Sequence, residues 1–422
     1  MMNNSDRLSG VRALAVTLLV GYAAAFASGC SDAPLGPLVV DELATPAGDF
    51  SGQAHLAVTP DGTVILSWLE STTGDGMALK FATLAAGGTT WSAARTLAEG
   101  ENWFVNWADF PSVVPMNDSV WAAHWLVFQD NFHAYDSVVA ISTDAGASWS
   151  EPFLLNTDGS PAEHGFVTLF GQGESIGAVW LDGRDMVVDG EFVYASPTGE
   201  LLGTNLRYAS FDFSGARQSD VALDALVCDC CQPDVALAAA GPIVIYRDRS
   251  LEEVRDIVVR RMVGGNWQPM QALPPDGWEI PGCPVNGPAI AAAGDEVAAA
   301  WFSAPGNQPF VRYARSHDGG ASFSAALDID TAGSFGYVDV ELLGNGDAVV
   351  SWLRSAGDDL DFVTRRVSAD GVVHPVERVA GIDSSQPLDF PQMVTAGERI
   401  IFMWTDYTTG SNVATAVGHF GR

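Results

Sequence analysis

The sequence contains few positively charged residues. Its 422 residues include 20 lysines and arginines against 52 aspartates and glutamates, so the formal net charge is −32 at pH 7. Lys80 is the only lysine. A surface of this kind repels nucleic acid and anionic membranes, and it keeps a protein soluble. The composition therefore argues against a nucleic-acid partner and against membrane attachment through surface charge.

Long hydrophobic runs are also scarce, and the best candidate lies at the N-terminus. Arg7 and Arg12 precede an apolar run over residues 13–26, which is too short to span a bilayer permanently. A basic start, a short apolar core and small residues after it predict an export signal over residues 1–29. No other segment approaches the length of a membrane span. We therefore interpret residues 30–36 as a tether and residues 37–422 as a single folded domain.

The end of the apolar run predicts how the chain is anchored. Ala27-Ser28-Gly29-Cys30 resembles the bacterial lipobox, whose cysteine is lipidated and becomes the new N-terminus. This resemblance implies a lipoprotein that meets the membrane only through Cys30. The alternative is an ordinary signal peptide with an incidental cysteine. Ser31, in place of an aspartate after the cysteine, favours the outer membrane, on its periplasmic or its surface side.

A unit of about 50 to 60 residues recurs along the rest of the chain. Each unit starts with an apolar strand, continues with an alternating strand that an aromatic residue closes, and ends with two further strands. The closing aromatics are spaced by 57, 55, 66, 55, 51 and 52 residues, at Trp68, Trp125, Trp180, Tyr246, Trp301, Trp352 and Trp404. Four antiparallel strands per period predict an all-β fold, a β-propeller of seven blades.

The two ends of the chain are predicted to close the ring. The seventh unit stops after its third strand, near residues 412–418, and so lacks a fourth strand. Residues 37–43 have the pattern of the fourth strands of other units. Because an open sheet edge exposes unpaired backbone groups, we predict that this N-terminal strand completes the last blade.

Two turns between third and fourth strands share one motif. Residues 142–149 and 316–323 both follow Ser-x-Asp-x-Gly-x-Ser-aromatic. They resemble the Asp box, or BNR repeat, of sialidases and related β-propellers, and the resemblance in architecture covers residues 37–422. In such a box the Asp and Gly shape the turn and the aromatic packs between blades, so its role is structural. The resemblance implies six blades as the alternative count and hydrolysis of acidic sugars as an alternative function.

The candidate binding site lies on one face of the propeller. The loops that lead into the first strand of each blade (the leading loops) open on the same face as the loops that join second and third strands. Candidate ligand-binding residues there are Trp103, Trp107, Arg184, Arg247, Arg249, Trp278 and Asn286. Candidate catalytic residues are Asp109, Glu163, His164 and Asp182. This set predicts a site for a glycan or another polar or anionic ligand on a monomeric protein, with loop packing and ion pairs as the alternative for any one residue.

The resemblance to sialidases also assigns specific roles. A tyrosine nucleophile with a glutamate partner would correspond to Tyr337 and Glu341. The sequence departs from the family because no arginine lies in residues 13–94, where the first of three carboxylate-binding arginines is expected. The arginines that remain for an anionic group are Arg184, Arg247 and Arg312.

Apart from Cys30, the chain contains four cysteines, all in two leading loops: Cys228, Cys230, Cys231 and Cys283. In an exported protein, this set predicts two disulfides, for which three connectivities exist. The alternative is a thiolate site for copper(I) or zinc, completed by His133 or His164. No other cofactor is predicted.

Overall fold

The computed structural model of the chain describes residues 35–129, 134–384 and 388–421. These residues form seven sheets of a β-propeller, so the all-β, seven-blade prediction is confirmed and the alternative of six blades is wrong. The export signal, Cys30 and His133 lie outside the described residues and remain predictions. Among the described residues, no helix has the length and apolar character needed to cross a membrane.

The strands are numbered in chain order. Strand β1 (Leu38–Leu43) belongs to the last blade. Blade 1 contains β2 (Ser51–Val58), β3 (Val64–Ser71), β4 (Met77–Leu84) and β5 (Arg95–Gly100). Blade 2 contains β6 (Ser112–Pro115), β7 (Trp121–Phe128), β8 (Tyr135–Ser142) and β9 (Phe153–Leu154). Blade 3 contains β10 (His164–Gln172), β11 (Ser175–Asp182), β14 (Asn205–Asp212) and β15 (Arg217–Asp224), with the hairpin β12 (Val187–Val188) and β13 (Glu191–Phe192) between its second and third strands.

The remaining blades follow the same order. Blade 4 contains β16 (Asp234–Ala238), β17 (Gly241–Arg247) and β18 (Ile257–Val263), with the short outer strands β19 (Asn266–Trp267) and β20 (Gln271–Ala272). Blade 5 contains β21 (Ala289–Ala293), β22 (Glu296–Ser303), β23 (Phe310–Ser316) and β24 (Leu327–Asp330). Blade 6 contains β25 (Ser334–Leu342), β26 (Ala348–Ala356), β27 (Asp359–Val367) and β28 (Val373–Ile382). Blade 7 contains β29 (Gln392–Ala396), β30 (Arg399–Asp406), β31 (Asn412–Phe420) and β1. Single 3₁₀ turns occur at Arg184–Met186 and Pro305–Asn307.

The core lies between neighbouring blades. Most of the aromatics that close the second strands are fully buried, and Trp68, Trp180, Trp301 and Trp352 have no exposed surface. Each packs among the apolar residues of its own blade and an adjacent one. The repeat seen in the sequence is therefore the repeat of the interface between blades, where apolar surface is removed from water.

Closure of the ring agrees with the prediction. Strand β1 pairs with β31 in antiparallel register, from Leu38 opposite Phe420 to Leu43 opposite Thr415. The backbone N–H of Gly36 donates to the carbonyl of Gly421 at 2.6 Å. The first and last of the described strands thus both belong to blade 7, and β31 is not left as an open edge.

The turns at 142–149 and 316–323 have the same hydrogen bonds. The Oδ1 atoms of Asp144 and Asp318 accept the backbone N–H groups of Ser148 and Ser322, each at 2.8 Å. Hydrogen bonds from the serines lower the pKa of both aspartates to about 2. Both aspartates serve the turn itself, as the motif predicts.

Candidate functional site

A cavity of about 500 Å³ opens between the leading loops of blades 2 to 5. We call it the mouth cavity. Its aromatic lining consists of Phe104, Trp107, Tyr135, Phe166, Phe192 and Tyr194. Its charged lining consists of Asp109, Glu163, Asp229, Arg249, Glu253 and Arg255. The cavity therefore combines ring faces with carboxylates, and it lies on the predicted face of the propeller.

The structure brings together only part of the predicted set. Trp107, Asp109, Glu163 and Arg249 line the mouth cavity, as do Cys230 and Cys283. The predicted residues that do not line it are Trp103, His164, Asp182, Arg184, Cys228, Cys231, Arg247, Trp278 and Asn286.

Sequence reasoning missed several of the lining residues. Phe192 and Tyr194 come from the long connection between the second and third strands of blade 3. A signal for this connection was present, because the 66-residue spacing between Trp180 and Tyr246 is the longest of the seven-unit repeat. Nothing in the spacing indicated that these two aromatics face the cavity.

Asp109 joins two blades. Its Oδ1 accepts the backbone N–H of Phe166 in β10 at 2.7 Å, and its Oδ2 accepts the hydroxyl of Tyr135 at 3.2 Å. Burial raises the pKa of Asp109 to about 7, and nearby Glu163 adds to the rise, although both hydrogen bonds oppose it. Asp109 is thus a buried carboxyl whose two oxygens are already engaged.

The same contact occurs at two other blade junctions. Asp389 accepts the N–H of Gln53, and Asn286 accepts the N–H of Tyr337, both at 2.8 Å. The three residues that donate these N–H groups have positive φ angles: 46° at Gln53, 53° at Phe166 and 55° at Tyr337. A glycine precedes each of them in the chain. A Cβ on any of these glycines would collide with the accepting side chain. We call this contact the blade clasp. Because the blade clasp occurs at three junctions, the contact between blades is a sufficient reason for the positions of Asp109 and Asn286, and no bound ligand is needed to explain them.

Asp182 and Arg184 belong to a second recurring arrangement. The indole N–H of Trp180 donates to Asp182 Oδ2 at 2.8 Å. The guanidinium of Arg184 donates to Oδ1 and Oδ2 of Asp182 at 2.7 and 2.6 Å. Other blades repeat this triad of tryptophan, carboxylate and cation as Trp68–Glu70–Lys80, Trp301–Asp276–Arg312 and Trp352–Asp330–Arg354. The triad satisfies a buried indole N–H and a buried carboxylate at once.

His164 lies beside this triad and is fully buried. Its Nε2 is 3.2 Å from Asp158 Oδ1 and 3.8 Å from Asp182 Oδ1, and its Nδ1 is 3.1 Å from the carbonyl of Tyr135. Burial alone would lower the pKa of His164, but the two carboxylates raise it above its usual value. Asp158 also contacts Arg184 at 3.1 Å. A cation already occupies this acidic cluster in the form of Arg184.

Arg247 and Trp278 hold loops together. Arg247 is 1% exposed, and its guanidinium donates to the carbonyls of Arg255, Asn286 and Phe302 at 2.7 to 3.1 Å. The same guanidinium lies 4.9 Å above the ring of Trp278. Every side of Arg247 therefore faces protein.

Arg249 lines the mouth cavity but is also paired. Its guanidinium donates to both oxygens of Glu253, at 3.0 and 2.6 Å, and to Asp229 at 3.0 Å. An anionic ligand would have to displace these carboxylates. The guanidinium groups of Arg184, Arg247 and Arg249, the three arginines predicted to bind the ligand, are thus all engaged within the protein.

The roles implied by the sialidase resemblance are not assembled in one place. Tyr337 packs against Phe390, whereas Glu341 accepts a hydrogen bond from Thr395 inside a second cavity on the propeller axis. Four residues of extended strand separate them by roughly 13 Å. Arg312 is paired with Asp276 and Asp328. Trp103 stacks on Trp125, with ring centroids 5.6 Å apart, away from the mouth cavity.

The cysteines form one of the two predicted bridges. Cys230 and Cys283 are joined, which links the leading loops of blades 4 and 5, while Cys228 and Cys231 are buried thiols. The sulfurs of Cys228, Cys230 and Cys231 lie within 4.8 Å of one another. A copper(I) or zinc site would need Cys230 as a thiolate, but its sulfur is bonded to Cys283. The observed bonding therefore does not fit a three-thiolate metal site, and His164 belongs to a different cluster.

The axial cavity, of about 250 Å³, is lined by the first strands of the blades. Three carboxyls face it: Asp234, Asp339 and Glu341. Burial raises their pKa values to about 6, about 7 and about 8, and their mutual repulsion adds to the rise for Asp339 and Glu341. The axial cavity has about half the volume of the mouth cavity.

Comparison with known proteins places the fold. No family model and no curated protein sequence matches the chain. Among solved structures, the polysaccharide lyase Uly1 superposes with a TM-score of 0.53 at 7% identity, over 88% of this chain and 90% of that one. A Hadza microbial sialidase superposes with a TM-score of 0.44 at 12% identity, over 72% of this chain and 63% of that one. The NanB sialidase from Streptococcus pneumoniae gives 0.43 at 11% identity, over 92% and 70%.

Sialidases and neuraminidase-like β-propellers are thus among the structure neighbours of this chain. The likeness is one of fold. The chain spans less than two thirds of the length of the Hadza sialidase.

Proposed function

We propose that this protein binds a glycan in the mouth cavity. The observation that carries the proposal is a cavity of about 500 Å³ that is lined by both aromatic rings and carboxylates. Sugar rings present apolar C–H faces that pack on aromatic side chains, and hydroxyl groups that donate to carboxylates. Tyr194, at 64% exposure, offers a ring face at the rim. The likeness to a solved polysaccharide lyase supports a glycan as the class of ligand.

The charge of the lining supports a neutral glycan over an acidic one. Four carboxylates and two guanidinium groups face the mouth cavity. Both guanidiniums contact Glu253, and Arg249 also contacts Asp229. A sugar carboxylate would therefore meet unfavourable charge in a protein whose overall charge is already −32.

Hydrolysis is a second candidate, favoured by one observation. Asp109, with a pKa raised by burial to about 7, lies near Glu163 at the cavity. Glycosidases use a pair of neighbouring carboxyl groups of this kind, one of which acts as the general acid. Tyr135 is a poor nucleophile here, because burial and the neighbouring Asp109 and Glu163 raise its pKa well above its usual value.

The first experiment is titration calorimetry with neutral oligosaccharides and with a sialylated oligosaccharide. Tyr194→Ala should weaken binding of a neutral oligosaccharide about tenfold, or about 1.4 kcal/mol, because it removes one ring face. The matched control is Phe50→Ala, which removes an equally exposed ring (65%) that does not line the cavity. Equal loss in both variants, or tighter binding of the sialylated sugar, would contradict the proposal.

The same samples separate binding from hydrolysis. After prolonged incubation, chromatography of the oligosaccharides should show them intact if the protein only binds. Release of smaller sugars that Glu163→Gln abolishes would instead establish the second candidate.

A further inference from the structure

The Cys230–Cys283 bridge is open to solvent on one side. Cys283 is exposed and Cys230 is half-buried, and both line the mouth cavity. The bridge joins two leading loops that have no other covalent link. The exposure of Cys283 distinguishes this bridge from one enclosed in a core, which external thiols do not reach.

A thiol lies directly behind the bridge. Cys228 is 1% exposed, and its Sγ is 4.0 Å from the Sγ of Cys230. The guanidinium of Arg255 donates to Cys228 Sγ at 3.3 Å. Cys228 is thus buried beside the bridge, with the positively charged guanidinium of Arg255 next to its sulfur.

The surroundings favour the thiolate at Cys228 rather than at Cys231. Burial alone would raise the pKa of Cys228, but a hydrogen bond from Cys231 and the charges of Arg247 and Arg255 bring it down to about 7. Burial and the interaction with Cys228 raise the pKa of Cys231 well above its usual value. A thiol whose pKa is close to the ambient pH is the most effective attacker of a disulfide.

We propose that Cys228 and the Cys230–Cys283 bridge form a thiol–disulfide exchange site at the edge of the mouth cavity. The thiolate of Cys228 forms a bond with Cys230 Sγ, the bond between Cys230 and Cys283 breaks, and its electron pair leaves on Cys283. The bridge moves to Cys228–Cys230, and no net oxidation or reduction occurs. Cys283 becomes an exposed thiolate that takes a proton from water or reacts.

The ligand class of this site is a small disulfide. The Cys283 thiolate attacks one sulfur of the disulfide, forms a mixed disulfide with it, and releases the other half as a thiol. The internal exchange by itself favours Cys230–Cys283, because a bridge between residues two apart closes a small ring. Formation of the mixed disulfide at Cys283 removes the free thiolate and so shifts the equilibrium towards the Cys228–Cys230 bridge. It also detaches the leading loop of blade 5, which contributes Pro281, Gly282 and Val285 to the cavity.

The experiment traps Cys283 in the folded, oxidised protein. The protein, purified without reductant, is incubated with N-ethylmaleimide, digested without reduction and mapped by mass spectrometry. We expect alkylated Cys283 in the same molecules as a Cys228–Cys230 bridge. Incubation with oxidised glutathione should give glutathione on Cys283 with the same new bridge.

Two variants assign the attacker. Cys228→Ser should lower alkylation of Cys283 at least tenfold, since the remaining neighbour of the bridge, Cys231, has a pKa that burial keeps high. Cys231→Ser, the matched control, keeps a hydrogen-bond donor next to Cys228 and should leave Cys283 reactive. If Cys228→Ser does not fold, the linkage map of the alkylated wild-type protein still decides, because it needs no variant.

Four results would overturn the proposal. They are an unreactive Cys283 in the wild-type protein, equal reactivity in Cys228→Ser, a Cys228–Cys231 bridge in the purified protein, or four thiols with bound copper or zinc.

Discussion

At the residue scale, repetition within the chain separates structural roles from functional ones. Asp109, Asn286 and Asp389 occupy equivalent places and accept an equivalent backbone N–H from the next blade. A residue that bound one ligand would not be needed at three junctions around the ring. The blade clasp therefore explains these side chains by the requirement that a buried N–H has a partner.

This interpretation predicts how Asp109 tolerates substitution. Asp109→Asn should fold with nearly unchanged stability, because Asn286 already performs the clasp with an amide oxygen. Asp109→Ala should lower the free energy of unfolding by about 1–3 kcal/mol, since it leaves the Phe166 N–H and the Tyr135 hydroxyl buried without a partner. Chemical denaturation of the two variants measures both values. Equal losses of unfolding free energy in Asp109→Asn and Asp109→Ala would mean that the stability depends on the carboxylate charge and not on the hydrogen-bond acceptor at this position.

At the element scale, the ring depends on its first strand. β1 supplies the outer strand of blade 7 through six paired positions with β31. The backbone N–H of Leu38 also donates to Glu377 of blade 6 at 2.7 Å, so β1 contacts two blades. Removing β1 would expose both the ladder of β31 and the apolar residues beneath it.

Deletion of residues 37–43 should therefore lower the melting temperature by several degrees or more, given that about 1 kcal/mol corresponds to about 2–4 °C in chains of 150–250 residues. A synthetic peptide of residues 35–45 should restore much of the loss by adding a strand to the open edge. A peptide of the same composition in scrambled order serves as the control. An unchanged melting temperature after deletion would contradict the closure of the ring by β1.

At the scale of the whole molecule, the first strands of the blades together enclose an acidic axis. Asp234, Asp339 and Glu341 come from two different blades and share the axial cavity, where burial raises their pKa values to between about 6 and about 8. A carboxyl whose pKa is higher in the folded state than in the unfolded state binds more protons when folded. The stabilisation of the folded state that these three protonated carboxyls contribute is complete below about pH 4, and it is lost as the pH rises through 6 to 8.

The free energy of unfolding should consequently fall as the pH rises from about 6.5 to about 8. Buried His55 and His124 have lowered pKa values and act in the opposite sense only below about pH 6.5, whereas the Cys228 thiol, with its pKa lowered to about 7, acts in the opposite sense between about pH 7 and pH 8.5. In Glu341→Gln the fall should be smaller by on the order of 1 kcal/mol, because glutamine does not ionise. Glu99→Gln, on the exposed outer strand β5, is the control. Denaturation curves at both pH values for the three proteins provide the test, and parallel pH profiles for wild type and Glu341→Gln would refute it.

Much of the architecture could be predicted because it follows from local patterns of apolar and aromatic residues in the sequence. The recurrence of closing aromatics from Trp68 to Trp404 specifies where the second strands lie, since each must bury one ring between blades. The unfinished seventh unit and the strand at residues 37–43 likewise predict closure. The face that carries the site followed from the order of strands within a blade.

The details of the site were not predictable in this way. Arg247 and Arg249 have the same sequence signature as ligand-binding arginines, yet their guanidiniums contact carbonyls and carboxylates from positions distant in the chain. Tyr194 has no pattern that distinguishes it from an ordinary loop residue, yet it stands at the rim of the mouth cavity.

The sequence by itself determined the number of blades, the closure of the ring and the acidic surface, because periodic burial, an unpaired edge and net charge depend on composition and order alone. Only the tertiary structure decided that Asp109 engages Phe166, that Cys230 pairs with Cys283 and that Cys228 remains a thiol behind this bridge. Hydrogen bonds and disulfides depend on distances of a few ångströms between loops, and those distances are set by how whole blades pack around the axis.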